Sequence, residues 1–140
     1  MVDEPTTTIG AGLTSNVPEP EPVPAGEQYE IRLNKVEVRR QKPEKGSGSF
    51  VMAFMSILGV IGAAPFNHVM MLPDGEDSDQ DYRRNLDLQH FYNAFSINHE
   101  PGEAVELTEG LRNTTFAILK VTHSDDYGDQ NGISRYVKEQ

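Results

Sequence analysis

The chain has 140 residues, enough for one domain with a modest core and a tail. Lys plus Arg number 12 against 22 Asp plus Glu, giving a net charge of -10. That balance argues against wholesale coating of nucleic acid or attachment to an anionic membrane, although nucleic acid responds to a local basic groove. Cysteine is absent, which excludes disulfides, thiolate metal sites and cysteine nucleophiles. Met1-Val2-Asp3-Glu4 has no basic region leading into an apolar stretch, so no secretory signal is predicted and a cytoplasmic protein is expected.

Residues 1–28 hold five of the nine prolines, five acidic residues and no Lys or Arg. Pro18-Glu19-Pro20-Glu21-Pro22-Val23-Pro24 lacks backbone donors at every proline and favours an extended, polyproline-like path. With few large apolar residues to offset ordering entropy, this segment is expected to be a disordered acidic arm, with a single domain over 29–140.

From Tyr29 to Arg40 the pattern predicts a strand. Ile31 and Leu33 share one parity, Val36 and Val38 the other, and a β-bulge near Asn34-Lys35 brings all four to one face. The segment from Arg39 to Ser49 then reads as a flexible basic loop. An uncharged run follows, with Phe50–Leu58 and Phe66–Leu72 as the two strands of a hairpin joined through Gly59 and Gly62. Within it Phe50, Met52 and Phe54 alternate and are expected in the core. The rival reading is a membrane span, since Phe50 to Phe66 is 17 residues without a charge, at the short edge of the roughly 17–25 required.

Asp74-Gly75-Glu76-Asp77-Ser78-Asp79 has turn and N-cap chemistry, and a helix is predicted from about Asp79 to Ile97 with Leu88, Phe91, Tyr92 and Phe95 on one face. Val105 and Leu107 suggest a short strand or capped turn. Thr115–His123 reads as a strand, Asp125–Gly132 as a loop and Ile133–Val137 as the last strand. The order predicts a mainly β fold: a small, partly open barrel of the OB type, with one helix between the third strand and the later ones.

Catalytic and metal chemistry find no anchor. Asp77-Ser78-Asp79-Gln80-Asp81 has calcium-loop spacing, but Tyr82 stands where glycine is required and Leu88 where a bidentate glutamate is required. His68, His90, His99 and His123 show no zinc-ligand spacing. No nucleophile elbow surrounds any serine, and Lys45-Gly46-Ser47-Gly48-Ser49 is not a phosphate loop. No enzyme, metal or cofactor is therefore expected.

The informative feature is charge asymmetry. Six of the twelve basic residues, Arg32, Lys35, Arg39, Arg40, Lys42 and Lys45, fall in one strand and its loop, opposed only by Glu37 and Glu44. An OB barrel binds oligonucleotides across strands two and three and the loops beside them. Single strands are held there by phosphate neutralisation and by base stacking on aromatic rings. Lys120, Arg135 and Lys138 extend the expected path, and Tyr29, Phe54, Tyr127 and Tyr136 are the stacking candidates.

A resemblance points the same way. It is carried by Pro24-Ala25-Gly26-Glu27-Gln28-Tyr29-Glu30-Ile31, Lys35-Val36-Glu37-Val38, Phe50–Ile57, His68-Val69-Met70-Met71-Leu72-Pro73 and Phe91-Tyr92-Asn93-Ala94-Phe95. Near the C-terminus Tyr127–Ile133 and Arg135-Tyr136-Val137 add to it. On these residues the chain resembles a family of small phage-encoded proteins associated with single-stranded-DNA binding and with recombination or replication. The resemblance implies an OB-like barrel, a non-enzymatic DNA-binding role, single-stranded DNA as partner and the host cytoplasm as location. Two departures stand out: the Phe50 hairpin is poor in charge, and the acidic tail is N-terminal. By analogy that tail docks replication or recombination proteins, or else occupies the basic groove. Alternative readings are a virion accessory or assembly protein without DNA affinity, marked by an apolar tip at Val60-Ile61-Gly62, and a single-span membrane protein over 50–66. The low-charge hairpin also offers an edge for a homo-oligomer.

Overall fold

The computed structural model describes residues 5–41, 48–75 and 78–137. Five strands form one antiparallel sheet: β1 (Gln28–Arg40), β2 (Ser49–Leu58), β3 (Phe66–Met71), β4 (Thr114–Ser124) and β5 (Gly128–Tyr136). Helix α1 (Asp79–Ala94) and a 3-10 turn (Leu107–Gly110) lie between β3 and β4. The spatial order is β3-β2-β1-β4-β5. Edge strands β3 and β5 approach one another without a hydrogen-bonded ladder, which leaves the expected OB-like barrel partly open.

The long first strand does what its broken parity predicts. Leu33 pairs with Met55 and Lys35 with Phe54, so Asn34 is the extra residue of a bulge. Before it, Ile31 and Leu33 are fully buried; after it, Val36 turns inward and is half-buried. Val38 has the inward parity but lies beyond the edge of the core and is 58% exposed. The N-terminal part of β1 is flanked on both sides, by β2 and by β4, whereas β4 pairs it no further than Arg32.

In β2 the expectation for Phe50, Met52 and Phe54 is overturned. Val51, Ala53, Met55 and Ile57 are buried, and the other parity is half-buried on the outer face. Both parities are apolar, so alternation within β2 could not decide between them. Register decides: Phe54, Met52 and Phe50 stand opposite the polar Lys35, Glu37 and Arg39 of β1. The run weighed as a membrane span is therefore β2, a glycine turn and the start of β3, with Gly59 and Gly62 at the positive φ that turn requires. Among the described residues no helix is long and apolar enough to cross a membrane.

Helix α1 opens as its sequence predicts. The Ser78 hydroxyl accepts the Asp81 N–H at 3.2 Å, and the buried Asp81 carboxylate accepts from the backbone of Asp74 and Gly75, each at 2.9 Å. The helix stops at Ala94, earlier than Ile97, because Ser96 adopts a positive φ and the Ile97 N–H turns back to the Tyr92 carbonyl at 2.8 Å. Leu88, Phe91, Phe95 and Ile97 are buried in the core, and the Phe91 and Phe95 rings pack tilted at 56°, 5.3 Å between centroids. Burying each such side chain contributes about 1.5–3 kcal/mol.

Two segments differ from their sequence reading. The expected loop from Asp125 to Gly132 shrinks to a turn at 125–127, and β5 begins at Gly128, pairing Asp129 with His123 and Asn131 with Val121. Residues 5–20 carry no helix or strand and are exposed. The chain then joins the barrel before β1: Glu21 bridges Ala63 in the β2–β3 turn and Val23 enters the core. The Val23 N–H donates to Asn131 Oδ1 at 2.8 Å, while Asn131 Nδ2 donates to the carbonyls of Val23 at 3.0 Å and Lys120 at 3.1 Å.

Candidate nucleic-acid interface

The bulge fixes the outer face of the sheet. Past Asn34, alternation places Lys35, Glu37 and Arg39 outward in one row of β1. The next row, on β2, is Phe54, Met52 and Phe50, and beyond it Asn67, Val69 and Met71 follow on β3. A basic row thus borders an apolar, aromatic one.

Phe54 is the centre of this surface. Lys35 Nζ lies 5.3 Å from its ring centroid and Arg39 Cζ lies 5.9 Å from it, both within cation–π range. Glu37 lies between the two cations along β1. Its Oε1 meets Lys35 Nζ at 2.7 Å, and its Oε2 accepts from Arg39 Nε at 2.7 Å and also contacts Arg39 Nη2. Hydrogen bonds from Lys35 first, and then from Arg39, hold the Glu37 carboxyl below the usual carboxylate range. At the N-terminal end of the face, Arg32 Nε donates to Asn34 Oδ1 at 2.9 Å, and Asn34 in turn contacts the Ser56 hydroxyl. At the other end Gln41 Nε2 donates to Met71 Sδ at 3.6 Å. Arg32, Lys35, Arg39 and Arg40 are all exposed.

The remaining candidates divide. Lys42 and Lys45, in the β1–β2 connection, and Lys138 lie outside the described residues. Lys120 is exposed on β4 opposite Gly132, on the far side of β1 from Phe54. Tyr29 is half-buried on the core parity, and its hydroxyl donates to Glu27 at 2.9 Å. Tyr136 is removed from the stacking set: its ring packs edge-on against Phe95 at 6.1 Å, and its hydroxyl is buried. Burial raises its pKa strongly. Tyr127 is 77% exposed in the β4–β5 turn, but Asp125 and Asp126 precede it and Asp129 follows. His123 engages that acidic tip, with Nδ1 at 2.9 Å from Asp129 and Nε2 at 3.6 Å from Asp125.

Arg135 belongs to a different concavity. It lines a cleft of about 1320 Å³ beside α1, together with His68, Asp87, His90 and Tyr136. Burial lowers the pKa of His68 there, against the opposing pull of Asp87. The cleft holds Arg135 apart from the Lys35–Arg39 row, so the structure joins the β1 cations to Phe54 and does not join Arg135 to them. The apolar members of the outer face, Met52 and Val69, escaped sequence reasoning; only the bulge and the β1–β2 register reveal them.

No known family model matches the chain, and no curated protein matches it.

Proposed function

We propose that this chain binds single-stranded DNA without sequence preference and without catalysis, in phage DNA replication or recombination. The carrying observation is the placement of Lys35 and Arg39 over the outward Phe54 ring. Such a site offers both parts of single-strand recognition, cations for the backbone and a ring on which a base stacks. Arg32, outward before the bulge, lengthens the path along the strand, and Arg40, on the parity of Val36 and Val38, adds positive charge at the strand's exposed end. The phage setting, with replication or recombination proteins as further partners of the acidic tail, rests on the sequence resemblance.

The test is fluorescence anisotropy of a labelled single-stranded oligonucleotide at low and physiological salt, with a duplex of equal length as control. The expected result is single-strand preference with a log–log salt slope of about -2 to -4, at about -0.7 per phosphate. Neutralising Arg39 and Arg40 together is expected to abolish binding. No binding at low salt by well-folded protein overturns the reading.

A second reading has its own observation. Ile61, at the tip of the β2–β3 turn, is fully exposed, and Val60 beside it is 39% exposed. An exposed apolar tip suits an assembly or interaction protein. A defined oligomer without DNA affinity, dissociated by Ile61→Asp, is the result that favours it.

A further inference from the structure

The carboxylate at the centre of the basic row is oddly placed for a surface meant to receive phosphates. Positions 35, 37 and 39 alternate along one strand, so Glu37 stands between the two cations that flank Phe54. The residues opposite them on β2, Phe54, Met52 and Phe50, are uncharged, and β4 does not extend along this part of β1. Among the described residues, the charged groups that contact Glu37 are thus its own strand neighbours. It engages both: one oxygen takes Lys35 Nζ at 2.7 Å, and the other takes the guanidinium of Arg39, through Nε at 2.7 Å and through Nη2. Two guanidinium nitrogens converge on one carboxylate oxygen, a charge-assisted contact that a phosphate oxygen can accept in the same way.

We propose that Lys35 and Arg39 form an anion site above Phe54, and that Glu37 occupies it in the free protein as a stand-in for a nucleic-acid phosphate. This rests on the single-strand reading above and supplies its selectivity. A simple anion that displaces Glu37 exchanges one set of ion pairs for another and gains little. A nucleotide that displaces it gains base stacking on Phe54 as well. Only ligands carrying both a phosphate and an unstacked base therefore overcome the internal competitor, and duplex, whose bases are stacked, does not. The exchange is feasible because both cations are open to solvent, 62% exposed at Lys35 and 47% at Arg39, and ion pairs open to solvent hold weakly.

The competitor leaves two signatures. Replacing it frees two cations for phosphates, so affinity rises. The cluster then carries two net positive charges in place of one, so the salt dependence steepens. Anisotropy titrations of labelled oligothymidylate with the full chain and with Glu37→Gln, at several salt concentrations, read both. The expected result is about five- to tenfold tighter binding at low salt for Glu37→Gln, with a slope steeper by about 0.7. Glu30→Gln removes the same charge from the same strand, away from Phe54, and is expected to change affinity less than about twofold. Glu37→Thr, polar and suited to a strand, repeats the measurement should the glutamine variant be poorly folded.

Wild-type binding left unchanged or weakened by both Glu37 variants overturns the stand-in and leaves the single-strand reading intact. An equal gain from Glu30→Gln also overturns it, since general charge then explains the gain. Binding by Glu37→Gln but not by wild type supports the stand-in and overturns the reading of the native chain as a binder. No binding by any folded variant overturns both.

Discussion

The outer face of β1 and β2 and the tip of the β4–β5 hairpin each carry an aromatic ring, half-buried at Phe54 and exposed at Tyr127, in opposite electrical surroundings. Phe54 has Lys35 and Arg39 above it, and its neighbours along β2 are uncharged. Tyr127 is the more exposed ring, yet Asp125, Asp126 and Asp129 adjoin it. Base stacking alone does not distinguish the two, because every base has a π face. Charge does: a phosphate would meet Lys35 and Arg39 at the first ring and three carboxylates at the second. An aromatic residue is therefore a nucleic-acid platform only in combination with the charge that its strand register brings beside it. The hairpin contributes to the fold instead, through Asn131, which links β5 and β4 to the segment before β1.

The comparison breaks if the hairpin carries binding or the Phe54 face carries stability. The largest expected effect is on stability, from Asn131→Ala. It deletes three hydrogen bonds at a site where Asn131 and Val23 are both buried, leaving backbone groups of Val23 without partners. A loss of about 2–4 kcal/mol is expected from urea denaturation, and DNA affinity of the folded fraction should be unchanged. The next effect is on affinity, from Phe54→Ala. Removing one stacking platform costs about 1–3 kcal/mol of binding, read by anisotropy, while the urea midpoint should barely move because the ring lies outside the core. Loss of stability without loss of affinity from Phe54→Ala would return that ring to a packing role.

Much of this was legible in the sequence. The slip from Leu33 to Val36 announced the bulge, because a period of two cannot otherwise keep both residues inside. Ser78 and the stripe through Leu88, Phe91 and Phe95 announced α1. The outward direction of Phe54 was not legible, since every residue of β2 except its serines is apolar and either parity fits a core. Only pairing with the charged half of β1 breaks that tie. The start of β5 was hidden for the opposite reason. Gly128, Asp129 and Gln130 are polar or flexible and look like loop until His123 and Thr122 of β4 stand opposite them. Val23 was hidden by the prolines on either side, and its partner is Asn131, more than a hundred residues away in the chain.

The smallest expected effect is the sharpest on the comparison. Tyr127→Ala removes the most exposed tyrosine of the original stacking candidates, so a binding path that wraps onto the hairpin must lose affinity with it. If charge governs, single strands avoid Asp125, Asp126 and Asp129, and the ring contributes nothing to binding. Its exposure means that little packing is lost, so affinity and stability should both stay within about 0.5 kcal/mol of wild type. A tenfold loss of affinity would place nucleic acid across the acidic tip. That outcome requires the His123 contacts with Asp129 and Asp125 to be remodelled on binding, since in the free protein they leave that tip anionic.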